Sequence, residues 1–148
     1  MSVSITRLAE LGKGRVSGNG DVAVSGVQHD SRAVVPGDLF VAIPGEKADG
    51  ASFAAGAVSR GAVAVLAERD LQLSVPTVVV KDARAAIGPV SHAVYGDPSA
   101  SLACVGVTGT NGKTTVTWLI EHVLETLGFR VALTGTVLSR IAGKTQSS

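Results

Sequence analysis

Residues 105–115 have the sequence Val-Gly-Val-Thr-Gly-Thr-Asn-Gly-Lys-Thr-Thr, in which an apolar run leads into a glycine-rich turn and then into a lysine and two threonines. This order predicts a strand, a tight loop and the first turn of a helix. Small residues let backbone N–H groups approach an anion closely, and the N-terminus of a helix adds partial positive charge. The stretch is therefore typical of a phosphate-binding loop in an α/β fold.

Two side chains of this loop suit a nucleoside triphosphate. Lys113 supplies a full positive charge, and Thr114 supplies a hydroxyl of the kind that binds Mg²⁺ beside phosphates. The spacing departs from the common P-loop pattern, because Val107 stands where that pattern has its first glycine. A glycine-rich turn that merely contains a lysine is the alternative. The strand, loop and helix order favours ATP binding.

Composition is typical of an ordinary globular protein. The 148 residues are 45% hydrophobic and 17% charged, with a net charge of +1. A charge this close to zero gives no electrostatic footprint for nucleic acid. Cys104 is the single cysteine, which excludes an internal disulfide, and its apolar neighbours predict a buried side chain. Without an apolar stretch of about 18 residues or a signal-peptide pattern, we expect a cytoplasmic monomer that does not insert into membranes.

Strand and helix signals alternate in the first two thirds of the chain. Apolar runs rich in β-branched residues predict strands at 22–27, 38–43, 62–67 and 76–80. Helical spacing predicts a helix over 53–58, ended by Gly61, and a second helix that reaches Tyr95. Gly88-Pro89 should kink or interrupt this second helix, because proline lacks the N–H that bonds to the preceding turn.

Gly96-Asp-Pro-Ser99 is the predicted domain boundary, because Asp-Pro disfavours helix and favours a turn. We therefore expect one domain at 1–98 and the beginning of another at 99–148. Residues 102–107 and 130–134 predict two parallel strands joined by a right-handed crossover. The helix between them should carry one apolar stripe, at residues 116, 119, 120, 123, 124 and 127.

This second segment is short for a complete domain. Parallel strands need both faces covered, and two strands with one helix cannot supply that cover. We therefore expect the segment to be the beginning of a larger nucleotide-binding domain.

Two blocks of the sequence resemble the Mur ligase family. The first is Asp30-Ser-Arg-Ala-Val-Val-Pro-Gly-Asp-Leu-Phe-Val-Ala-Ile-Pro-Gly-Glu-Lys-Ala-Asp-Gly50, and the second is Gly106-Val-Thr-Gly-Thr-Asn-Gly-Lys-Thr-Thr115, followed by Thr134-Gly-Thr-Val137. The resemblance covers essentially the whole chain. The second block is more similar to the UDP-N-acetylmuramoyl-tripeptide synthetases (MurE) than to the sister ligase that adds D-Ala-D-Ala.

The resemblance implies a small N-terminal α/β domain that binds a UDP-sugar, followed by the start of a P-loop-type doubly wound ATPase domain. Ser31 matches a position that contacts the UDP-sugar. A segment that lines the uridine pocket matches Glu46, Lys47 and Ala48. His29 stands where the family often has a leucine-like contact, so its residue type departs from the pattern.

The resemblance also implies an ATP site and a reaction. The matching ATP-binding residues are Gly109, Thr110, Asn111, Gly112, Lys113, Thr114 and Thr115. Lys113 would bridge the β- and γ-phosphates, and Thr114 would bind Mg²⁺, which makes these two the implied catalytic residues. The implied reaction uses ATP and Mg²⁺ to add a third amino acid to UDP-MurNAc-dipeptide (UDP-MurNAc-L-Ala-D-Glu) in peptidoglycan synthesis, through an acyl phosphate.

Further parts of such a ligase would lie beyond residue 148. They include a carbamylated lysine, a magnesium-binding carboxylate and histidine, and the pocket for the incoming amino acid, so we expect this chain alone to be catalytically incomplete. The residues present do not indicate which amino acid is added. Two alternatives stay open, namely another ligase of the same superfamily, such as the dipeptide-adding one, and a non-catalytic nucleotide-binding module.

Several polar and aromatic residues also have a structural interpretation. Asp30 and Arg32 could be turn residues with local hydrogen bonds. His92 and His122 have no metal-ligand partners at the usual spacing, which favours structural or surface roles. Trp118 lies beside the apolar stripe, so packing is favoured over stacking on adenine.

Overall fold

The computed structural model describes residues 2–45, 48–135, 138–141 and 144–147. The chain divides into two compact units, Met1–Leu102 and Ala103–Ser148. The division between the two units falls after Leu102. The boundary between two functional domains that the sequence predicts, after residue 98, stays a prediction. The predicted mixed α/β class is confirmed.

The first unit is built around a five-stranded sheet. Its elements in chain order are β1 (Val3–Ser4), α1 (Ile5–Leu11), β2 (Arg15–Ser17), β3 (Ala23–Val24), β4 (Gly26–Gln28), β5 (Asp38–Val41), a 3-10 helix (Gly50–Phe53), α2 (Ala54–Ser59), β6 (Ala64–Ala67), β7 (Thr77–Val79), α3 (Ala83–Tyr95) and a second 3-10 helix (Pro98–Ser101). The strand order is β2-β7-β6-β5-β4, in which β4 to β7 are parallel and β2 is antiparallel to β7. Separately, β1 pairs with β3.

Side chains of the two central strands alternate between two cores. All residues of β5 and β6 are buried. One core joins α1 and α3 to Leu39, Val41, Ala64 and Leu66, and the other joins α2 to Phe40, Ala42, Val65 and Ala67. Because successive strand residues point to opposite faces, helices cover both faces of the sheet, as parallel strands require.

Three of the four strands predicted in this unit are confirmed with slightly different ends, as β5, β6 and β7. The prediction of one continuous strand at 22–27 is wrong, because Ser25 separates β3 from β4. The N–H of Ser25 donates to the carbonyl of Gly37 at 2.9 Å. The chain changes sheet at this residue, since β3 pairs with β1 and β4 pairs with β5.

Both predicted helices of the first unit form, as α2 and α3. The predicted interruption at Gly88-Pro89 is wrong, because α3 continues through it. Proline removes the N–H partner of the Ala85 carbonyl, but Ala85 and Pro89 are both exposed. Water can therefore bond that carbonyl, and the lost helix bond is tolerated.

Helix α1 was not predicted from the sequence. Its buried residues Ile5, Leu8 and Ala9 fall at helical spacing. The hydroxyl of Ser4 caps it by accepting the N–H of Arg7 at 3.4 Å. Helix α1 is short, so only one turn of the periodic pattern was available to indicate it.

The second unit contains α4 (Lys113–Thr126), β8 (Ala132–Thr134), β9 (Leu138–Ile141) and β10 (Lys144–Ser147). Helix α4 and strand β8 confirm the predicted helix and the strand after it. The predicted strand at 102–107 is wrong, since no strand is assigned there. The predicted parallel crossover is also wrong, because β8 pairs antiparallel with β9. A strand needs a neighbour for its backbone groups, and β8 has one in β9, whereas residues 102–107 pair with no strand in the described part of the chain.

The apolar stripe of α4 is largely exposed in this unit, with only Ile120 and Leu124 half-buried. Leu119 and Leu127 are 60% and 67% exposed. On the opposite side of the helix, Glu121 is buried and accepts a hydrogen bond from Arg140 of β9 at 3.0 Å. None of the described helices combines the length and the apolar character needed to cross a bilayer.

We expect Gly61→Ala to destabilise the first unit and Gly56→Ala to stabilise it slightly. Gly61 has φ +112°, and a Cβ there would lie 2.8 Å from the Cα of Pro36. Strain and contact together should lower the free energy of unfolding by about 2 kcal/mol or more. An added Cβ on Gly56, inside α2, meets only the Nη1 of Arg60 at 3.5 Å. Gly56→Ala should therefore raise the free energy of unfolding by about 0.5–1 kcal/mol. Urea unfolding measures both, and equal effects would contradict the strained turn at Gly61.

Candidate functional site

The two predicted sugar-nucleotide segments lie at one edge of the five-stranded sheet. Residues 29–32 follow β4, and residues 44–49 lie beyond the end of β5. These strands are parallel neighbours, with Gln28 opposite Phe40. The structure therefore brings both segments to the carboxyl ends of adjacent strands, which is where open α/β sheets bind ligands.

Asp30 and Arg32 form a closed local ion pair. The carboxylate of Asp30 accepts Nε of Arg32 at 3.0 Å, Nη2 at 2.8 Å and the backbone N–H of Arg32 at 2.9 Å. These hydrogen bonds from Arg32, with its charge, lower the pKa of Asp30 to about 2. The structural interpretation of both residues is therefore confirmed, and together they fix the turn that carries Ser31.

Ser31 is half-buried and His29 is exposed. The side-chain oxygen of Gln28 accepts the N–H groups of His29 at 3.1 Å and of Asp30 at 3.4 Å, which holds the start of this turn. Within the described ranges, no hydrogen bond joins the Ser31 hydroxyl to another residue. That hydroxyl is therefore free to bond a ligand.

The described flanks of the loop after β5, Pro44–Gly45 and Ala48–Asp49, contact each other through backbone groups. The N–H of Gly45 donates to the carbonyl of Ala48 at 3.0 Å, and Pro44 forms an antiparallel bridge with Asp49. A Cβ on Gly45 would lie 2.9 Å from the oxygen of Ala48, so glycine permits this closure. Ala48 is exposed. Glu46 and Lys47 lie outside the described residues, and their roles stay predictions.

Two arginines that no sequence pattern indicated contact this loop. Arg69, just after β6, donates from Nη2 to Oδ2 of Asp49 at 2.6 Å. Arg84, in the first turn of α3, donates from Nη2 to the carbonyl of Pro44 at 3.4 Å. The hydrogen bond from Arg69 is the main cause of a lowered pKa at Asp49. The partners are 20 and 40 residues apart in sequence, so no local motif could have revealed them.

The phosphate loop has the backbone geometry of an anion-binding turn. Gly112 precedes α4 in a left-handed conformation, with φ +76° and ψ −3°, and no side chain caps the helix. An added Cβ at Gly106 or Gly112 would have no neighbour within 4 Å, so the loop surface is open. The first N–H groups of a helix lack partners inside it. They are therefore available to an anion at this end of α4.

Lys113 folds back onto this loop. Its Nζ donates to the carbonyl oxygens of Gly109 and Thr110. The candidate ATP-binding residues 109–115 are all exposed. The ammonium group is thus held over the glycine turn, next to the uncapped helix N-terminus, and the two positive features of the loop lie together.

Other residues considered in the sequence have structural positions. His92 contacts Asp97 through Nδ1 at 3.0 Å and Ser99 through Nε2 at 3.2 Å, all within one turn region. The guanidinium of Arg140 lies 5.6 Å from the ring centroid of Trp118. The prediction of a buried Cys104 is wrong, since this thiol is exposed. No strand forms around it, so no neighbouring strand covers it.

The described residues contain no group of three or more His, Cys, Asp or Glu side chains that could hold a metal ion. The hydroxyl of Thr114 is exposed but is a single ligand. A magnesium ion there would take its other oxygen ligands from phosphates and water, which is the usual arrangement for Mg²⁺.

Two open clefts, of about 280 Å³ and 610 Å³, lie away from the candidate segments. Their lining includes Ser74–Pro76, directly before β7, so they are at the amino-terminal edge of the parallel strands. None of the candidate residues lines either cleft. Because ligands of such sheets bind at the carboxyl edge, the loops after β4 and β5 are the better candidate site.

The chain has a mostly parallel sheet with the candidate segments at its carboxyl edge, and a glycine loop at a helix N-terminus. These are features of the α/β class of proteins in which such edges and loops bind nucleotides. Comparison with protein families gives the particular group. The family description "Mur ligase family, catalytic domain" matches residues 23–99, and "Mur ligase middle domain" matches residues 107–148. The chain belongs to the Mur ligase family.

Individual relatives agree with this assignment. The chain is 49% identical over 122 residues to UDP-N-acetylmuramoyl-L-alanyl-D-glutamate–2,6-diaminopimelate ligase of Halalkalibacterium halodurans, which covers 82% of this chain and 25% of the relative. A solved structure of a ligase with the same name superposes with a TM-score of 0.72 at 28% identity, covering 97% of this chain and 30% of that one. The chain thus spans about a quarter of the curated relative.

A third comparison concerns the nucleotide. The crystal structure of MurF ligase from Thermotoga maritima in complex with ADP matches 68% of this chain and 23% of its own, at 29% identity and a TM-score of 0.54. The predicted membership of the Mur ligase family is confirmed, with curated relatives of the MurE type.

We expect the carboxyl group of Asp30 to titrate near pH 2 in the folded chain, and at a higher pH, closer to its ordinary value of 3.8, in Arg32→Gln, which removes the guanidinium but keeps the backbone N–H that also lowers this pKa. Because the folded-state pKa lies below the unfolded one, the contact stabilises the turn above about pH 4 and is lost as the pH falls toward 2. Carbon-13 NMR of the carboxyl groups measures both midpoints. Arg7→Gln, which removes the exposed Arg7–Glu10 pair, is the control and should leave Asp30 unchanged. Identical midpoints in the unaltered chain and in Arg32→Gln would disprove this cause.

Proposed function

We propose that this chain is the N-terminal part of an ATP-dependent ligase that adds the third amino acid to UDP-N-acetylmuramoyl-L-alanyl-D-glutamate in cell-wall synthesis. The observation that carries the proposal is the order of its parts, with sugar-nucleotide segments at a sheet edge followed by an open glycine loop on α4. The name of its relative supports this substrate and 2,6-diaminopimelate as the amino acid. We place the protein in the cytoplasm as a monomer.

The first part of the proposal assigns residues 1–98 to the UDP-sugar. Ser31 donates or accepts a hydrogen bond through its unpaired hydroxyl, on the turn fixed by Asp30 and Arg32. His29, exposed beside it, contributes a ring edge to the same surface. The proposal also assigns Glu46, Lys47 and Ala48, in the loop after β5, to the UDP-sugar site. Ala48 is exposed, and its carbonyl oxygen accepts the N–H of Gly45.

The second part assigns residues 99–148 to ATP, with Gly109 to Thr115 around its phosphates. The N–H groups at the uncapped N-terminus of α4 donate to phosphate oxygens without displacing a capping side chain. Lys113 exchanges the carbonyl oxygens of Gly109 and Thr110 for phosphate oxygens, which offer the ammonium a full negative charge. Thr114 would supply one hydroxyl ligand to Mg²⁺, and the ion would neutralise part of the charge of the triphosphate.

The proposed reaction is governed by charge. The substrate carboxylate attacks the γ-phosphorus of ATP and forms an acyl phosphate with release of ADP. The amino group of the incoming amino acid then displaces phosphate and forms the amide. Carboxylate and triphosphate repel each other, so the contribution of Lys113 and the α4 N-terminus is to lower that repulsion and to fix the γ-phosphate in line with its attacker.

Substituting Ser31 tests the sugar-nucleotide site. In calorimetric titrations with UDP and with UDP-N-acetylmuramoyl-L-alanyl-D-glutamate, Ser31→Ala should weaken binding about 3- to 10-fold, the effect of losing one hydrogen bond. Ser59→Ala is the matched control, because the Ser59 hydroxyl bonds the Ala55 carbonyl on α2 at 3.0 Å. Unchanged affinity in Ser31→Ala, or an equal loss in both variants, would rule out the role of Ser31.

Substituting Lys113 tests the nucleotide site separately. Lys113→Ala removes a full charge next to the phosphates and should weaken the binding of a fluorescent ADP analogue at least about 10-fold, as measured by anisotropy. Lys144→Ala, an exposed lysine on β10, should have little effect. Equal affinities in the two variants would remove Lys113 from the phosphate site.

A further inference from the structure

The loop at residues 44–49 is held from outside by a side chain with no role in the proposed chemistry. We propose that Arg69 is a positioning residue for the sugar-nucleotide site, because its contact with Asp49 fixes the described flanks of this loop, Pro44–Gly45 and Ala48–Asp49. The inference rests on the proposed function, since it concerns the site to which Ala48 is assigned. It adds a residue that lies outside both sequence blocks of the family resemblance.

Asp49 connects the loop to two other parts of the unit. Its Oδ2 accepts the Nη2 of Arg69 at 2.6 Å, and its Oδ1 accepts the N–H of Ala51 at 3.0 Å. The second bond caps the 3-10 helix that begins at Gly50. The carboxylate of Asp49 therefore connects the C-terminal flank of the loop to the segment between β6 and β7, which carries Arg69, and to the 3-10 helix that begins at Gly50.

Backbone contacts next to Asp49 join the described flanks of the loop. Gly45 donates to Ala48 at 3.0 Å, and Gly50 donates to Ile43 at 3.2 Å. A Cβ on Gly50 would lie 2.5 Å from the oxygen of Ile43, so the two ends of the loop are in tight contact. Arg84 adds a longer contact of 3.4 Å at Pro44. Movement of Asp49 would therefore open the Gly45–Ala48 closure.

The exposure of the Arg69 and Asp49 side chains favours a positioning role for this ion pair over a role in folding stability. The side chains of Arg69 and Asp49 are 63% and 42% exposed. Ion pairs this exposed contribute little to folding stability, because water solvates both charges in the unfolded and folded states. The pair spans two loops at the carboxyl edge, after β5 and after β6. Its main effect is thus on the relative position of those loops.

The test compares Arg69→Gln, Asp49→Asn and the double variant with the unaltered chain. Asparagine keeps an oxygen that can accept the Ala51 N–H, so Asp49→Asn removes the ion pair but preserves the cap. Arg7→Gln is the control, since it breaks an ion pair of similar exposure, 62% for both partners, on α1. The readouts are hydrogen exchange of the Gly45 amide, the Tm, and calorimetric binding of UDP-N-acetylmuramoyl-L-alanyl-D-glutamate.

We expect Arg69→Gln and Asp49→Asn each to speed exchange at Gly45 and to weaken binding about 3- to 10-fold, with Tm changed by no more than about 2 °C. The double variant should bind no more weakly than the worse single one, because both substitutions remove the same contact. Arg69→Lys should recover part of the affinity, and Arg7→Gln should change none of these values.

Unchanged exchange at Gly45 in Arg69→Gln, additive losses in the double variant, or a fall in Tm with unchanged affinity would each overturn the positioning role. The proposed function fails in a distinguishable way. If the unaltered chain binds no UDP-sugar while Arg69→Gln still frees the Gly45 amide, the ligand assignment is wrong and the control of the loop by Arg69 stands.

Discussion

The burial of β5 and β6 on both faces is the constraint on which the rest of the first unit depends. From Leu39 to Val41 in β5, and throughout β6, successive residues enter alternate cores, so a shift of one residue would exchange Leu39 and Phe40 between the two cores. The register of the sheet is therefore fixed by packing. Because the segments that follow β4 and β5 leave neighbouring strands of fixed register, the points where these segments begin are also fixed relative to each other.

The phosphate loop is determined differently, by local backbone geometry. Its conformation depends on Gly112 in a left-handed turn and on the first turn of α4, and neither of the two cores formed by the described residues includes it. The stripe of α4 that should pack on a sheet is exposed, and yet the helix and its glycine turn form. Local chemistry therefore fixes the loop shape and the position of Lys113, whereas the described part of this unit leaves most of the helix face exposed.

The sequence predicted features that depend on residues close to one another. The strands at 38–43, 62–67 and 76–80 were recognisable because continuous apolar runs are typical of strands buried on both faces. The break at Ser25 was not, since it depends on a bond to Gly37. The strand at 102–107 was predicted from its own apolar pattern, but a strand also needs a partner. The Asp49–Arg69 contact joins two loops brought together only by the sheet.

The two long helices differ in how their N-termini are capped, because protein side chains bond the first N–H groups of α3 and no side chain caps α4. At α3, Asp82 accepts the N–H of Ala85 at 2.9 Å, and Glu68 accepts the N–H of Ala83 at 3.0 Å. A phosphate at that end would have to displace a carboxylate of the protein itself. At α4, glycine replaces the capping carboxylate, and a lysine follows it. Helix-dipole binding of phosphate is thus favoured at α4 and opposed at α3. In the first unit, the proposed sugar nucleotide would therefore be held by side chains and loop backbone at the ends of β4 and β5 rather than by the N-terminus of α3.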